Sequence, residues 1–328
     1  MSTAALLRVE GLSVDFVTGE ATVRAVDEVS FDLPAGGSIG LVGESGCGKS
    51  TTAYGIMRLL PGNGRISAGR VLLEGQDLAA LPEPALRRLR WQHIAMVFQN
   101  AMTALNPVMR IGEQIVAALM LHQAVPRAEA LRRAAAIFGR VGLRPDRLMQ
   151  YPHEFSGGMR QRAMMALALI CGPRVLLADE PTTALDVVAQ RRVLELLRDL
   201  QQEFHLALIL ISHDIAAVAE ACEQIVVMYA GQVVEQGPTR ATLARSRHPY
   251  TRALASAVPS LYGPAAGALE GLPPDLSQPS TGCRFAPRCP RAEQRCRNEP
   301  PPLHQFDGGH SARCHFAQGF FGGDHAVP

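Results

Sequence analysis

The 328-residue chain is 47% hydrophobic, mixes both charge signs and has a formal net charge of +2, which bounds it to a globular protein of one large or two moderate domains. No basic run or aromatic-interleaved basic face stands out, so no nucleic-acid partner is expected; Arg87-Arg88-Leu89-Arg90 reads as a solvated helix face. The apolar runs at 163–170 and 206–211 fall far short of the roughly 20 residues that span a bilayer, and Met1 to Ala5 lacks the order of a signal peptide, so a chain soluble by itself is expected.

Taken in order, Leu7 to Glu10, Leu12 to Phe16, Val23 to Val26 and Val29 to Leu33 alternate apolar with polar residues, the mark of half-buried antiparallel strands, with Thr18-Gly19-Glu20 as a turn. Phe16 offers its ring either to an adenine base or to the core. Ser38 to Val42 reads as a short buried strand and Thr51 to Leu60 as a helix. Between them stands Gly43-Glu44-Ser45-Gly46-Cys47-Gly48-Lys49-Ser50-Thr51, a match to the phosphate-binding GxxxxGK[ST] loop. In such a loop the backbone cradles phosphates, the Lys reaches the β/γ oxygens and the Ser binds Mg²⁺. The following helix N-terminus adds N–H donors and a positive dipole end. Lys49 is the only lysine among 32 basic residues. A compact ammonium fits between phosphate oxygens where a planar guanidinium would not.

Gly69 to Glu74 is a further strand, Glu83 to Arg90 a basic helix, and Ile94 to Phe98 a strand ending at Gln99, whose amide could touch Mg²⁺ or an attacking water. Residues 101–172 change character: Ile111 to Leu121, Ala128 to Val141 and Gly158 to Ile170 have helical spacing without strand pattern, as in a helical insert. Ser156-Gly157-Gly158 opens the last of these helices, either as a second anion site or as an ordinary capped start. Val175 to Ala178 is a buried strand ending in Asp179-Glu180, the first placed to hold Mg²⁺ and the second to polarise a water as general base. A helix from Val187 to Phe204 precedes the apolar strand Leu206 to Ile211, which delivers Ser212-His213-Asp214 at the ligand-binding edge of an open α/β sheet. Strands at Ile225 to Tyr229 and Gln232 to Glu235, a helix from His248 to Val258 and a Pro/Gly/Ser-rich linker from Gly263 to Gly282 complete the pattern.

In order and spacing, Gly43 to Thr51, Gln99, Ser156 to Met159, Asp179-Glu180, Ala184-Leu185-Asp186 and His213 resemble the Walker A, Q-loop, signature, Walker B, D-loop and H-loop of ABC transporter nucleotide-binding subunits. The wording at Ala101 to Ile115, Tyr151 to Arg162, Pro181 to Val187 and His248-Pro249-Tyr250 is similar to the oligopeptide/dipeptide/nickel importer branch, and the resemblance covers nearly the whole chain. The signature departs from many relatives in having Met159 where they have Gln, yet Ser156 and Gly158 keep the phosphate-facing groups.

The fold this implies is α/β, a P-loop NTPase ABC cassette: a RecA-like core with an antiparallel β-subdomain and a helical subdomain at about 101–172, together spanning 1–238, and a small cysteine-containing extension at 239–328. The implied activity is ATP hydrolysis with Mg²⁺. Lys49, Ser50 and His213 of one subunit hold the γ-phosphate, and the Ser156 loop of a second covers it. The implied partners are a second, paralogous ATP-binding subunit, two membrane permeases with a permease helix in the groove beside Gln99, and an extracytoplasmic solute-binding protein. The implied location is the cytoplasmic face of the inner membrane, peripherally bound. The solute stays open between peptides, nickel and certain sugars. A soluble ABC ATPase of translation or DNA repair generally carries two cassettes or a long insert, and a P-loop kinase or GTPase would lack the Ser156 signature and the Glu180/His213 pair.

Of the seven cysteines, Cys47, Cys171 and Cys222 are scattered through the cassette, while Cys283, Cys289, Cys296 and Cys314 gather in the tail. In a reducing compartment metal binding outranks disulfides. Four thiolates suit zinc or a [4Fe–4S] cluster; the absence of a CxxC pair and the resembled branch both lean towards the cluster, and no metal stays open.

Overall fold

The alternating N-terminal segments become two long strands, β1 (Ala5–Thr18) and β2 (Ala21–Pro34). In β1 the fully buried apolar side chains are Leu7 and Val9, then Leu12 and Val14, so the parity of the apolar face changes between them; Leu6, Ser13 and Asp15 are buried as well. Register shifts between Glu10 and Ser13 and between Ser13 and Val14 mark a bulged stretch of the β1–β4 pair at this point, where a strand's facing parity can change. Each expected pair of short strands is one continuous strand, and β2 carries Glu28 at a φ of 53° between its two expected halves.

The computed structural model describes residues 5–19, 21–99, 104–183, 185–256, 270–277 and 280–319. Glu20 of the expected turn, residues 101–103 of the helical insert, Ala184, the end of the helix expected to reach Val258 and residues 263–269 and 278–279 of the linker lie outside the described residues. The chain divides into two units.

One unit comprises residues 7–32, 38–79 and 212–328. Here β1 pairs antiparallel with β4 (Gly64–Leu73), from Leu7 opposite Leu73 to Phe16 opposite Gly64, in a sheet of order β2-β1-β4-β5 with β5 at Gln76–Asp77. The fully buried β3 (Ser38–Val42) runs into the 43–48 loop and then α1 (Lys49–Met57).

The second unit comprises residues 33–37 and 80–211 together with the first six. It carries α2 (Glu83–Leu89), then β6 (Ile94–Val97), β7 (Val175–Asp179) and β8 (Ala207–Ser212) in parallel register, Ile94 opposite Val175 and Val175 opposite Ala207. All three strands are buried throughout, as parallel strands covered on both faces must be. The insert provides α3 (Ile111–His122), α4 (Arg127–Arg140) and α5 (Gly157–Leu169); α6 (Val187–Phe204) follows β7, capped by the Asp186 carboxylate accepting from the Ala189 N–H at 2.9 Å.

Back in the first unit, α7 (Ile215–Ala221) packs against β3, and β9 (Gln224–Tyr229) runs parallel to β3 and antiparallel to β10 (Gln232–Pro238). After α8 (Thr239–Ala244), α9 (Pro249–Ser256) and α10 (Gln294–Asn298), the tail contributes β11 (Leu303–Phe306) and β12 (His310–Arg313). These tail strands carry no strong sequence pattern, yet β12 pairs with β10, Glu235 opposite Ala312. No helix among the described residues is long and apolar enough to cross a membrane.

Close packing of α7 on β3 requires glycine at 40, where a Cβ would lie 2.1 Å from Val218 Cγ1. Gly40→Ala is expected to lower stability by about 1–3 kcal/mol in urea unfolding, with Val218→Ala in the same chain restoring part of the loss. An unchanged midpoint would show that the contact yields easily.

Candidate functional site

In the first unit the phosphate loop is enclosed by backbone. A Cβ at Gly43 would lie 2.2 Å from the Met228 carbonyl oxygen, and one at Gly48, which has a φ of 100°, 2.5 Å from that of Ala25. Neither position can carry a side chain without moving a strand. Lys49 opens α1 at 4% exposure, and its Nζ donates to the carbonyl oxygens of Gly43 at 2.8 Å and Glu44 at 2.9 Å. The ammonium is thus folded over its own loop, held by neutral acceptors that phosphate oxygens can replace.

Ser45 and Gly46 form the exposed rim of the loop, Cys47 is buried, and Ser50 and Thr51 are half-buried on the first turn of α1. Burial pushes the Cys47 thiol up, against the pull of Lys49, so it acts as a neutral filler. The Glu44 N–H donates to Tyr250 Oη at 2.8 Å, a support that comes from 206 residues downstream and that nothing in the sequence signals. Phe16 ends the paired stretch of β1, half-buried with its ring edge against Gly64. His213 is exposed, with the turn around it fixed by the Asp214 N–H donating to Ser212 Oγ at 3.0 Å and by the Asp214 carboxylate accepting from the Ala216 N–H at 2.8 Å.

In the second unit Asp179 ends β7 with no exposure. Glu180 follows in the left-handed region at a φ of 43°, and its N–H donates to the Ile211 carbonyl at 2.9 Å. Strain of this kind at a carboxylate points to function. Its Oε2 accepts from Gln99 Nε2 at 2.9 Å and from Thr183 Oγ1 at 2.9 Å. Gln99 and Glu180 are therefore brought together as the strand ends require, and Thr183 is an orienting group that sequence reasoning missed. Ser156 caps α5, its Oγ accepting from the Met159 N–H at 3.4 Å. Gly157 and Gly158 then start the helix, with Gly157 facing Leu185.

The four tail cysteines line one cavity of about 20 Å³ together with His248 and Phe285, and none forms a disulfide. Burial pushes the thiol of Cys314 up to about 11 and those of Cys283 and Cys289 upward. Among the described residues no three His, Cys, Asp or Glu side chains gather closely enough to hold a metal ion. The [4Fe–4S] cluster towards which the resemblance leans is not supported by this geometry, whose cavity of about 20 Å³ has room for about one water.

A model of the ABC transporter family matches residues 26–183, and one of the oligopeptide/dipeptide transporter C-terminal region matches 234–296. The oligopeptide transport ATP-binding protein OppD of Salmonella typhimurium is 46% identical over 94% of this chain and 93% of its own length. The chain belongs to the ABC transporter family.

The dipeptide transport ATP-binding protein DppD of Escherichia coli is 45% identical over 95% of this ABC chain and 97% of its own. Among solved structures, the dimeric bacterial ABC transporter cassette MJ0796 superposes with a TM-score of 0.64 at 26% identity, covering 71% of this chain and 98% of that one. The fold is that of an ABC cassette and the activity that of an ATPase.

Glu180→Gln keeps the size of the side chain but removes its ability to take a proton. ATP hydrolysis is expected to fall by ~10² or more while ATP binding persists. Near-normal turnover in the assembled complex would remove Glu180 from the role.

Proposed function

We propose that the chain is the ATP-hydrolysing subunit of a transporter that imports di- or oligopeptides. The observation that carries this reading is the C-terminal match at 234–296, which lies outside every ATPase motif and belongs to a region described for oligopeptide and dipeptide transporters. The names of the relatives at 46% and 45% identity support the same solute class.

The residues present fit ATP with Mg²⁺: a loop closed to side chains at Gly43 and Gly48, a buried ammonium on neutral carbonyls, and a fully buried carboxylate at a strand end. Ser50, Gln99 and Asp179 would hold Mg²⁺, which would neutralise charge on the β and γ phosphate oxygens. Lys49 reaches those oxygens, the 45–51 backbone and hydroxyls bind the phosphates, Phe16 stacks on the adenine and His213 contacts the γ-phosphate. Glu180 takes a proton from the attacking water while Gln99 and Thr183 hold its Oε2 in place.

Ser156, Gly157 and Gly158 present N–H groups and a helix N-terminus to the γ-phosphate bound by a second ATP-binding subunit, a reading supported by the dimeric cassette named above. Residues 1–238 form the nucleotide-binding part and 239–328 the extension. The partners are a paralogous ATPase chain, two permeases and an extracytoplasmic solute-binding protein, and the chain sits peripherally on the cytoplasmic face of the membrane. In proteoliposomes of the assembled transporter, peptide with its binding protein is expected to raise ATP turnover. Gln99→Ala should lower uptake per ATP more than ATP affinity; turnover indifferent to peptide would defeat the solute assignment.

The tail cysteines are the candidate ligands of an iron–sulfur cluster, or of zinc, supported by four thiols on one cavity. A [4Fe–4S] cluster requires the cavity walls to part. Anaerobic purification should then give brown protein absorbing near ~400 nm. Colourless protein with stoichiometric zinc, or with neither metal, would eliminate the cluster.

A further inference from the structure

Glu44, the second residue of the phosphate loop, places a carboxylate where a triphosphate is to bind, an electrostatic cost unless something neutralises it. Arg288 does so from the tail. Its side chain, 5% exposed, donates from Nη1 to Glu44 Oε2 at 2.6 Å and from Nη2 to Oε1 at 2.9 Å, a bidentate pair. Nη1 also reaches Tyr229 Oη at 3.3 Å and Nε the Glu270 carbonyl at 2.9 Å, so the guanidinium plane is fixed. The turn that bears Arg288 follows Phe285, which is 1% exposed and packs its ring edge-on to Tyr229 at 5.1 Å. The backbone of the same Glu44 touches the site directly: its carbonyl accepts from Lys49 Nζ at 2.9 Å and its N–H donates to Tyr250 Oη at 2.8 Å.

We propose that Arg288 is a positioning residue for ATP binding, neutralising Glu44 and thereby setting the loop and the Lys49 ammonium. The tail then acts on the charge at the nucleotide site through this ion pair, beside the hydrogen bond from the Glu44 N–H to Tyr250. The inference rests on ATP occupying the 43–51 loop.

The test is ATP affinity of the full chain by titration calorimetry. Arg288→Gln leaves the Glu44 charge uncompensated and should raise the ATP Kd about tenfold or more. Adding Glu44→Gln removes that charge and should bring Kd back to within about threefold of the parent. If Arg288 only anchors the tail, the second substitution cannot rescue binding, and a loss that persists in the double variant overturns the proposal; so does an unchanged Kd in Arg288→Gln. Should that variant fail to fold, Arg288→Lys, which keeps charge but not the bidentate geometry, is read the same way with a smaller expected rise. Lys49→Ala separates the two readings: ATP binding that survives it would mean that this loop is not the site, whereas loss there with no effect at Arg288 rejects the positioning role alone.

Discussion

Backbone crowding around the phosphate loop is the constraint on which the nucleotide site depends. The carbonyls of Met228 and Ala25 stand where side chains at 43 and 48 would be, so the loop can only be glycine there and its N–H groups are held in one arrangement. Thr52 Oγ1 donating to the Gly48 carbonyl at 2.9 Å and the Gly231 N–H donating to the Cys47 carbonyl at 2.9 Å tie both ends of the turn. A preorganised anion cradle follows, and the ammonium of Lys49 is stored within it on carbonyls instead of a carboxylate, which it would surrender less readily.

The acidic strand end shows the complementary device. Asp179 is buried at the end of a parallel strand, and the chain turns at once through a left-handed Glu180. That turn is held by a backbone bond to Ile211, and the carboxylate by Gln99 and Thr183. Strain is tolerated because neighbouring strands and two side chains over-determine the geometry. Gln99 therefore joins the segment after β6 to the carboxylate at the end of β7 by a single hydrogen bond.

The tail is rich in proline and poor in apolar residues, and it holds its place by means other than a large core. Glu235, with no exposure, accepts from the Arg247 N–H at 2.6 Å and the His248 N–H at 3.0 Å and pairs with His310 Nε2 at 2.7 Å, joining β10 to the segment before α9 and to β12. The rings of Tyr229, Tyr250 and Phe285 pack tilted or edge-on with centroids 4.7 to 5.5 Å apart. The cysteine cavity adjoins this aromatic group at Phe285, so occupancy of the cavity and packing of the tail share a wall.

The elements and the candidate residues were largely legible in the sequence, because periodicity, glycine spacing and strand-end carboxylates are local signals. Residues 187–204 read as a helix at the bounds the structure has, and Gln99, Asp179 and Glu180 stand at strand ends as their spacing demands. Other features answer to contacts distant in sequence. The irregularity in β1 restores inward-facing side chains only against β4, the tail strands find a partner in β10, and Tyr250 supports a loop 206 residues away. The cysteine spacing, in turn, set which thiols could meet but not how close they stand. Local pattern fixes secondary structure and chemistry through the period of the backbone, whereas register, support and cavity size depend on which surfaces pack together, and that is decided only in the tertiary structure.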